Sequence, residues 1–303
     1  MSTADQIARD PTGREDTMKA AAGRSLWDDA RARLFRNRAA VGAMILLAIL
    51  VVFAFAGPFV WVHDFDTIYT DRVKIAPTFE NLHLFGTDQQ GRDLVARLMI
   101  GMRVSMIVGV VATAVSLLIG VTWGAIAGFV GGWLDNLMMR IVDVLYAMPF
   151  IFFVILLLTI FDRNIFLIFA AIGAIEWLTM ARIVRAQTLT LRSKEFVEAA
   201  RAAGVGSLAI IRRHILPNVI GPVAVYVTLT IPVVILAESF LSFLGLGVNE
   251  PLTSLGVLIS DGAKEMQDRP WMLLAPAIAM AATLLSLNFI GDGLRDALDP
   301  KER

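Results

Sequence analysis

The sequence contains no cysteine. That excludes disulfide scaffolds, Cys-ligated zinc, iron–sulfur clusters and thiol catalysis, and it leaves the redox compartment open. Net charge is also missing, because 27 Lys and Arg balance 27 Asp and Glu. No bulk basic or acidic field points to nucleic acid. Charged residues make up only 18% of the chain, against about 25% in soluble domains. The three histidines, His63, His83 and His214, are scattered. No pair has metal-ligand spacing on a helix, so no bound metal is expected. No G-x-x-x-x-G-K-S/T phosphate loop occurs, so the chain is not expected to bind ATP itself. No Ser/His/Asp grouping argues for a hydrolase.

What fills the space is apolar: 57% of residues are hydrophobic and mean hydropathy is +0.68. The surplus lies in long runs, as membrane crossing requires with about 20 apolar residues per helix. Six spans are expected, at 39–62, 104–134, 137–161, 164–181, 218–245 and 271–291. The fold class is therefore an all-α polytopic membrane protein. Six crossings place both termini on one side. Nineteen of the 27 Lys and Arg fall on that side: in residues 1–38, at Arg140, in 182–217 and in the 292–303 tail. The richer side is expected to be the cytoplasm. Loops 63–103 and 246–270 then face outward. Ala54-Phe55-Ala56 resembles a signal-peptide cleavage site, but the charged region before the run is far longer than a usual n-region, so cleavage is not expected.

Before the first span, Ser25-Leu26-Trp27-Asp28 fits a capping box. Leu26, Trp27, Ala30 and Leu34 then share one arc at helical spacing. A basic amphipathic helix there reads as interfacial, lying along the membrane surface, with a merely solvated helix as the alternative. The outer loop 63–103 contains Phe85-Gly86-Thr87-Asp88-Gln89-Gln90-Gly91-Arg92-Asp93, a structured turn in which Arg92 and Asp93 are placed for local charge pairs.

The inner loop 182–217 is the most informative. Lys194 to Ala203 reads as a short helix with Phe196, Ala199, Ala200 and Ala203 on one face. Gly204 and Gly206 interrupt it, and Ser207 is placed to cap a second helix through Arg213. Pro217 limits how that helix joins the fifth span. The product is a helix–turn–helix with an alanine-rich side that another protein can approach closely, and Glu198 beside it.

At these residues a resemblance emerges. Glu198-Ala199-Ala200, then Gly204, then Leu216-Pro217 looks like the EAA motif of ABC importer permeases. His214 stands where the general motif often has isoleucine, and the ending His214-Ile215-Leu216-Pro217-Asn218 is similar to that of the peptide-permease branch. Phe85–Asp93, Glu238–Gly247 and Gly291–Pro300 resemble signatures of C-type peptide permeases, and Gly23–Trp27 those of the oligopeptide branch. The resemblance implies the type I importer permease (MetI-like) fold, with an ABC transmembrane domain at about 102–292. It implies that Glu198, Ala199, Ala200, Gly204, Leu216 and Pro217 dock on a separate ATPase. It further implies a B-type permease partner, two ABC ATPases that bind ATP and Mg2+, and a periplasmic peptide-binding protein that selects the cargo. This chain would hold no cofactor and catalyse no reaction. Dipeptide, nickel and opine permeases resemble one another closely and remain alternatives for the cargo.

Three intramembrane features stay open. Gly120, Gly124 and Gly128 allow close helix packing, either within this subunit or against the partner permease. Asp143 and Glu238, near span ends, are expected to pair locally. Glu176 lies deeper and is the candidate for the translocation cavity wall, placed either to meet a cationic group of the cargo or to face a neighbouring helix. A proton-coupled secondary transporter using Glu176 or Glu238, or a membrane-embedded enzyme, would be the rivals from other classes.

Overall fold

A computed structural model describes residues 26–149, 152, 154–156, 160 and 165–298. Among them every regular element is helical, and the one β-type pairing is an isolated bridge between Thr87 and Asp93. The order is α1 (Leu26–Arg36), α2 (Arg38–Phe55), α3 (Gly57–Val60), α4 (Leu94–Val130), α5 (Gly132–Ala147), α6 (Ile165–Arg192), α7 (Glu195–Ala202) and α8 (Ser207–Ile210). A π-helical turn, Ile211–Ile215, then leads into α9 (Leu216–Phe243), α10 (Leu255–Lys264) and α11 (Trp271–Leu298). Four helical runs are long and apolar enough to cross a membrane: α2, α4, α8 through α9, and α11. Half of the third expected span beyond Ala147 (150, 151, 153, 157–159 and 161), and position 164 at the start of the fourth, lie outside the described residues, as does Ser25 of the expected capping box.

Helix α4 is the axis of the fold. Its N-terminal half packs with α10 and α11 around Leu94, Leu98, Met102, Leu255, Leu258 and Met272. Its C-terminal half joins α6 and the inner loop around Ala125, Phe129, Met180, Val184, Ile211 and Ile215. The α4–α6 pairing is the most extensive in the molecule. It settles the question left by the glycine stripe. A Cβ on Gly120 would lie 2.6 Å from the Met180 side chain, one on Gly124 2.9 Å from the Arg185 nitrogen, and one on Gly128 2.8 Å from the Arg185 carbonyl. The stripe therefore serves packing inside this subunit, where small residues let two backbones meet.

Several helices run past the ends of their apolar segments. Helix α4 begins at Leu94 and not Val104, with Asp93 as N-cap accepting from the Ala96 N–H at 2.8 Å. Helix α6 continues to Arg192, beyond the expected end at 181, and α11 continues to Leu298, beyond 291. Charges ended the hydropathy runs, and in α6 those charges are paired and the helix continues. Arg185 makes a two-pronged bond to Asp135 at 2.6 and 2.7 Å, and Arg182 reaches Asp143 at 2.8 Å. The second span ends early, at Val130, because Gly131 takes φ +70 and starts a new helix. The first ends at Phe55, followed by the single turn of α3. The outer loop 246–270 also holds a helix, α10, capped by Ser254.

Helix α1 is separated from α2 by Asn37, whose side chain accepts from Ala39 and Ala40. Ala30 is buried, and Leu34 and Ala40 close on Gly293 of α11. Part of the apolar arc expected to lie on the membrane thus packs on protein.

The seam makes a prediction. Gly124→Val forces a methyl group into the α6 backbone and is expected to cost about 3 kcal/mol or more. Gly221→Ala, with open space around it, is expected to change stability by less than about 1 kcal/mol. Thermal unfolding of the purified subunit assembly in detergent distinguishes them.

Candidate functional site

The 182–217 loop is built by α7, the Gly204 turn and α8. Val197 and Ala200 turn inward and join the core formed with Ile210 and Ile215. This corrects the expected face: Ala200 belongs to the buried side, because the inward phase is set by Val197 and not by Phe196. Phe196, Glu198, Ala199 and Ala203 remain exposed, with Gly204 at φ +77 beside them. Gly204 needs that conformation for the Ala200 carbonyl to accept the Val205 N–H at 3.1 Å. Arg201 lies over the Phe129 ring, 4.9 Å from its centroid, and ties α7 to the end of α4. Leu208 is 77% exposed on the same surface. Sequence reading missed it, although an apolar residue out of phase with Ile210, Ile211 and Ile215 was the available signal.

The second helix of this loop differs from expectation. Gly206, not Ser207, occupies the N-cap, and no side chain caps it. The helix is not separate from the fifth span. It passes through the π turn Ile211–Ile215 directly into α9, with Leu216 half-buried and Pro217 exposed in the first turn. Proline lacks an N–H and crowds the preceding turn of a tight helix; the wider π turn just before it removes that conflict.

The intramembrane carboxylates fall into three situations. Asp143 pairs locally with Arg182. Glu238 is fully buried and has no cation partner among the described residues, so the expected pairing is replaced by hydroxyls. Ser242 donates to its Oε1 at 2.6 Å and Ser105 to its Oε2 at 3.0 Å. Ser105 also accepts the Leu255 N–H at 3.1 Å, and Ser254 sits 3.2 Å from Ser242. One collar thus joins α4, α9 and the start of α10. Glu176 is half-buried on α6, within electrostatic reach of Tyr226 on α9, and no described residue bonds to it.

The 63–103 loop is a second polar structure. Asp88 accepts from Arg92 at 2.7 Å and lies 3.1 Å from Arg97, which is 1% exposed. Arg92 also reaches Glu250 at 3.1 Å, and Lys74 reaches Glu265 at 2.6 Å, so the loop is pinned to α10 and its flanks. The turn and the local charge pairs are as expected: Arg92 pairs with Asp88, and Asp93 with His83 (2.8 Å), with the Trp61 N–H also donating to Asp93 (3.0 Å). His63, His83 and Asp93 come within 4.8 Å of one another. Helical spacing did not detect this group because its members lie on a loop. His63 Nε2–H donates to the Asn81 carbonyl, its Nδ1 accepts from the Tyr69 hydroxyl, and His83 Nδ1–H donates to Asp93. The two rings stack at 19°. Lone pairs in near-parallel planes do not converge on one ion, so the group is arranged as a hydrogen-bonded network.

Comparison with known proteins agrees with this architecture. Residues 120–303 match the family of the binding-protein-dependent transport system inner membrane component, and residues 25–77 match the N-terminal TM domain of oligopeptide transport permease C. The chain belongs to the binding-protein-dependent inner membrane components, the membrane subunits of ABC importers. Among its relatives, the oligopeptide transport system permease protein OppC of Haemophilus influenzae is 55% identical over 93% of this chain and 90% of that one. The OppC of Escherichia coli is 53% identical over 93% of both. The dipeptide transport system permease protein DppC of Bacillus subtilis is 41% identical over 92% of this chain and 87% of its own. Family membership supports the ABC importer reading over a secondary transporter.

Two outcomes follow. Ser105→Ala removes one donor to Glu238 and orphans the Leu255 N–H, and is expected to cost about 1–3 kcal/mol in thermal unfolding of the assembly. The bond from Gln90, with help from Arg92, holds the Glu250 carboxyl below the usual carboxylate range. A depressed carboxylate stabilises above its unfolded value, about pH 4.3, and that contribution is lost as pH falls through the folded value. Glu250→Gln is therefore expected to flatten the acid limb of the stability profile, by less than about 1 kcal/mol because the group is exposed.

Proposed function

We propose that this chain is the C-type permease of an importer that carries oligopeptides from periplasm to cytoplasm across the bacterial inner membrane. The observation that carries the cargo is the 55% identity, over 93% of the chain, to a protein named as an oligopeptide permease. The dipeptide permease relative at 41% keeps dipeptides as the second reading.

In this reading the chain crosses the bilayer six times, with both termini cytoplasmic. Helix α5 with the residues after it forms the third crossing, and α6 the fourth. Support for the orientation comes from the Lys and Arg excess at 1–38, 182–217 and the C-terminal end. The chain pairs with a B-type permease, and the two together enclose the pathway. A periplasmic peptide-binding protein delivers cargo, and two ATPase subunits bind ATP and Mg2+.

Glu198, Ala199, Ala200, Gly204, Leu216 and Pro217 form the coupling segment. Glu198 and Ala199 touch the ATPase, with exposed Phe196 and Leu208 as apolar contacts. Ala200 and Leu216 act from the inside, holding α7 and the start of α9 in the core. Gly204 supplies the turn, and Pro217 starts the span. ATP binds the closed ATPase pair better than the open one, and that difference swings the permeases between inward and outward states. Glu176, half-buried and without a bonded partner among the described residues, meets a cationic group of the peptide, and Glu176→Gln is expected to slow uptake.

Uptake of labelled tetrapeptide, dipeptide and nickel in a host lacking this chain tests the reading. Tetrapeptide uptake is expected to need the chain and to fall at least about tenfold in Glu198→Arg, since a misplaced interfacial charge costs several kcal/mol. Loss of dipeptide or nickel uptake alone changes the cargo. Full rescue by Glu198→Arg removes Glu198 from coupling.

A further inference from the structure

A groove of about 390 Å3 runs between α2, α4, α9 and α11. Leu47, Val51 and Phe55 form one wall, Met106 and Val110 the other, and Ile235 closes it; no polar atom contributes to its surface. From Phe55 to Leu47 it descends two turns of α2, roughly 12 Å at 1.5 Å per residue. That carries it from the end of the helix toward the middle of a hydrocarbon layer about 30 Å thick.

One cation stands at its mouth. Arg103 lies one turn before Met106 on α4. Its guanidinium sits 5.5 Å from the centroid of Phe55, which lines the groove, and 5.9 Å from that of Phe59. Nε donates to the Ala54 carbonyl and Nη2 to the Phe55 carbonyl, both at 3.1 Å, which caps the end of α2. A guanidinium has five N–H donors. Nη1 has no partner among the described residues, and no carboxylate there neutralises the charge. Phe59 beside it is 85% exposed and Val60 83%, an apolar rim at the same level.

We infer that this groove is a phospholipid site, with an acyl chain along its apolar floor and the headgroup phosphate on Arg103. An unneutralised guanidinium held by two carbonyls and two aromatic rings at a membrane boundary suits a phosphate, which accepts its remaining N–H groups as charge-assisted bonds. A partner helix would fill the apolar floor but would leave the Arg103 charge unneutralised unless it also placed a carboxylate beside the guanidinium. The site requires membrane insertion only; the choice of the outer leaflet rests on the orientation proposed above.

The whole importer assembly, in vesicles of phosphatidylethanolamine and phosphatidylglycerol, is photolabelled with phosphatidylglycerol carrying a mid-chain diazirine. Labelled residues are then mapped. Labelling at Leu47, Val51 and Val110 is expected to exceed that at exposed apolar residues outside the groove, such as Ile45 and Ile278, by about tenfold, the loss expected for one charge-assisted bond. Arg103→Gln is expected to reduce it to the level of those residues, and Arg103→Lys to keep most of it. Val110→Trp, which fills the groove and leaves Arg103 intact, is expected to abolish it. Uniform labelling overturns the site, as does labelling indifferent to Arg103→Gln. Equal labelling by a diacylglycerol with the same diazirine overturns the role of phosphate. An unlabelled groove in the wild-type assembly means that a protein helix occupies it, and this also overturns the inference. Labelling is read without transport, so a different cargo leaves it untouched, whereas normal peptide uptake with uniform labelling sinks this inference alone.

Discussion

The contact of α4 with α6 along Gly120, Gly124 and Gly128 is the constraint on which the other packing depends. Inside a bilayer, burying apolar side chains gains little, because lipid is as apolar as leucine. Helices hold together there through close van der Waals contact and a few polar bonds. The glycines bring α4 onto the backbone of α6 near Ala181 and Arg185. Once that distance is set, Arg185 falls within reach of Asp135, and the α5 turn is fixed at Gly131. The inner loop then finds a floor made by Phe129, Val184 and Met180, on which Val197 and Ala200 settle.

The polar groups lie in layers along α4. At its start, Asp93 caps the helix and receives His83 and Trp61, while Asp88 gathers Arg92 and Arg97. Deeper, Ser105 links the helix to Glu238 and to the first turn of α10. At the far end, Phe129 meets Arg201 of α7. One continuous helix therefore touches the outer loop at one end and the proposed coupling helix at the other. The collar around Glu238 satisfies a buried carboxylate without a cation, which answers the cost of such a group in an apolar layer. The Arg103 guanidinium is the contrasting case, since protein carbonyls hold it but no anion among the described residues balances it.

Much of the candidate coupling site was legible. Gly204 and Gly206 marked the turn, and the alanine run marked a helix that leaves Ala199 and Ala203 exposed. The phase of α7 was not legible, because Phe196/Ala199/Ala203 and Val197/Ala200 are both apolar at helical spacing. Only the floor under the loop decides which set turns inward. The join at Pro217 was misread for a related reason. Proline ordinarily separates helices, and a π turn that accommodates it has no simple sequence pattern. The histidine cluster escaped because its members come from a loop and from positions far apart in the chain.

Composition and the length of the apolar runs determined that this is a helical membrane protein. The ordered motifs from Glu198 to Pro217 and around Asp88 determined its family. These are local properties, set by hydropathy and backbone preference within a few turns. Only the tertiary structure decided where the helices end, that the glycine stripe faces α6, that serines hold Glu238, and that Arg103 crowns an apolar groove. Each of these depends on which distant side chain arrives as a partner, and no local pattern carries that.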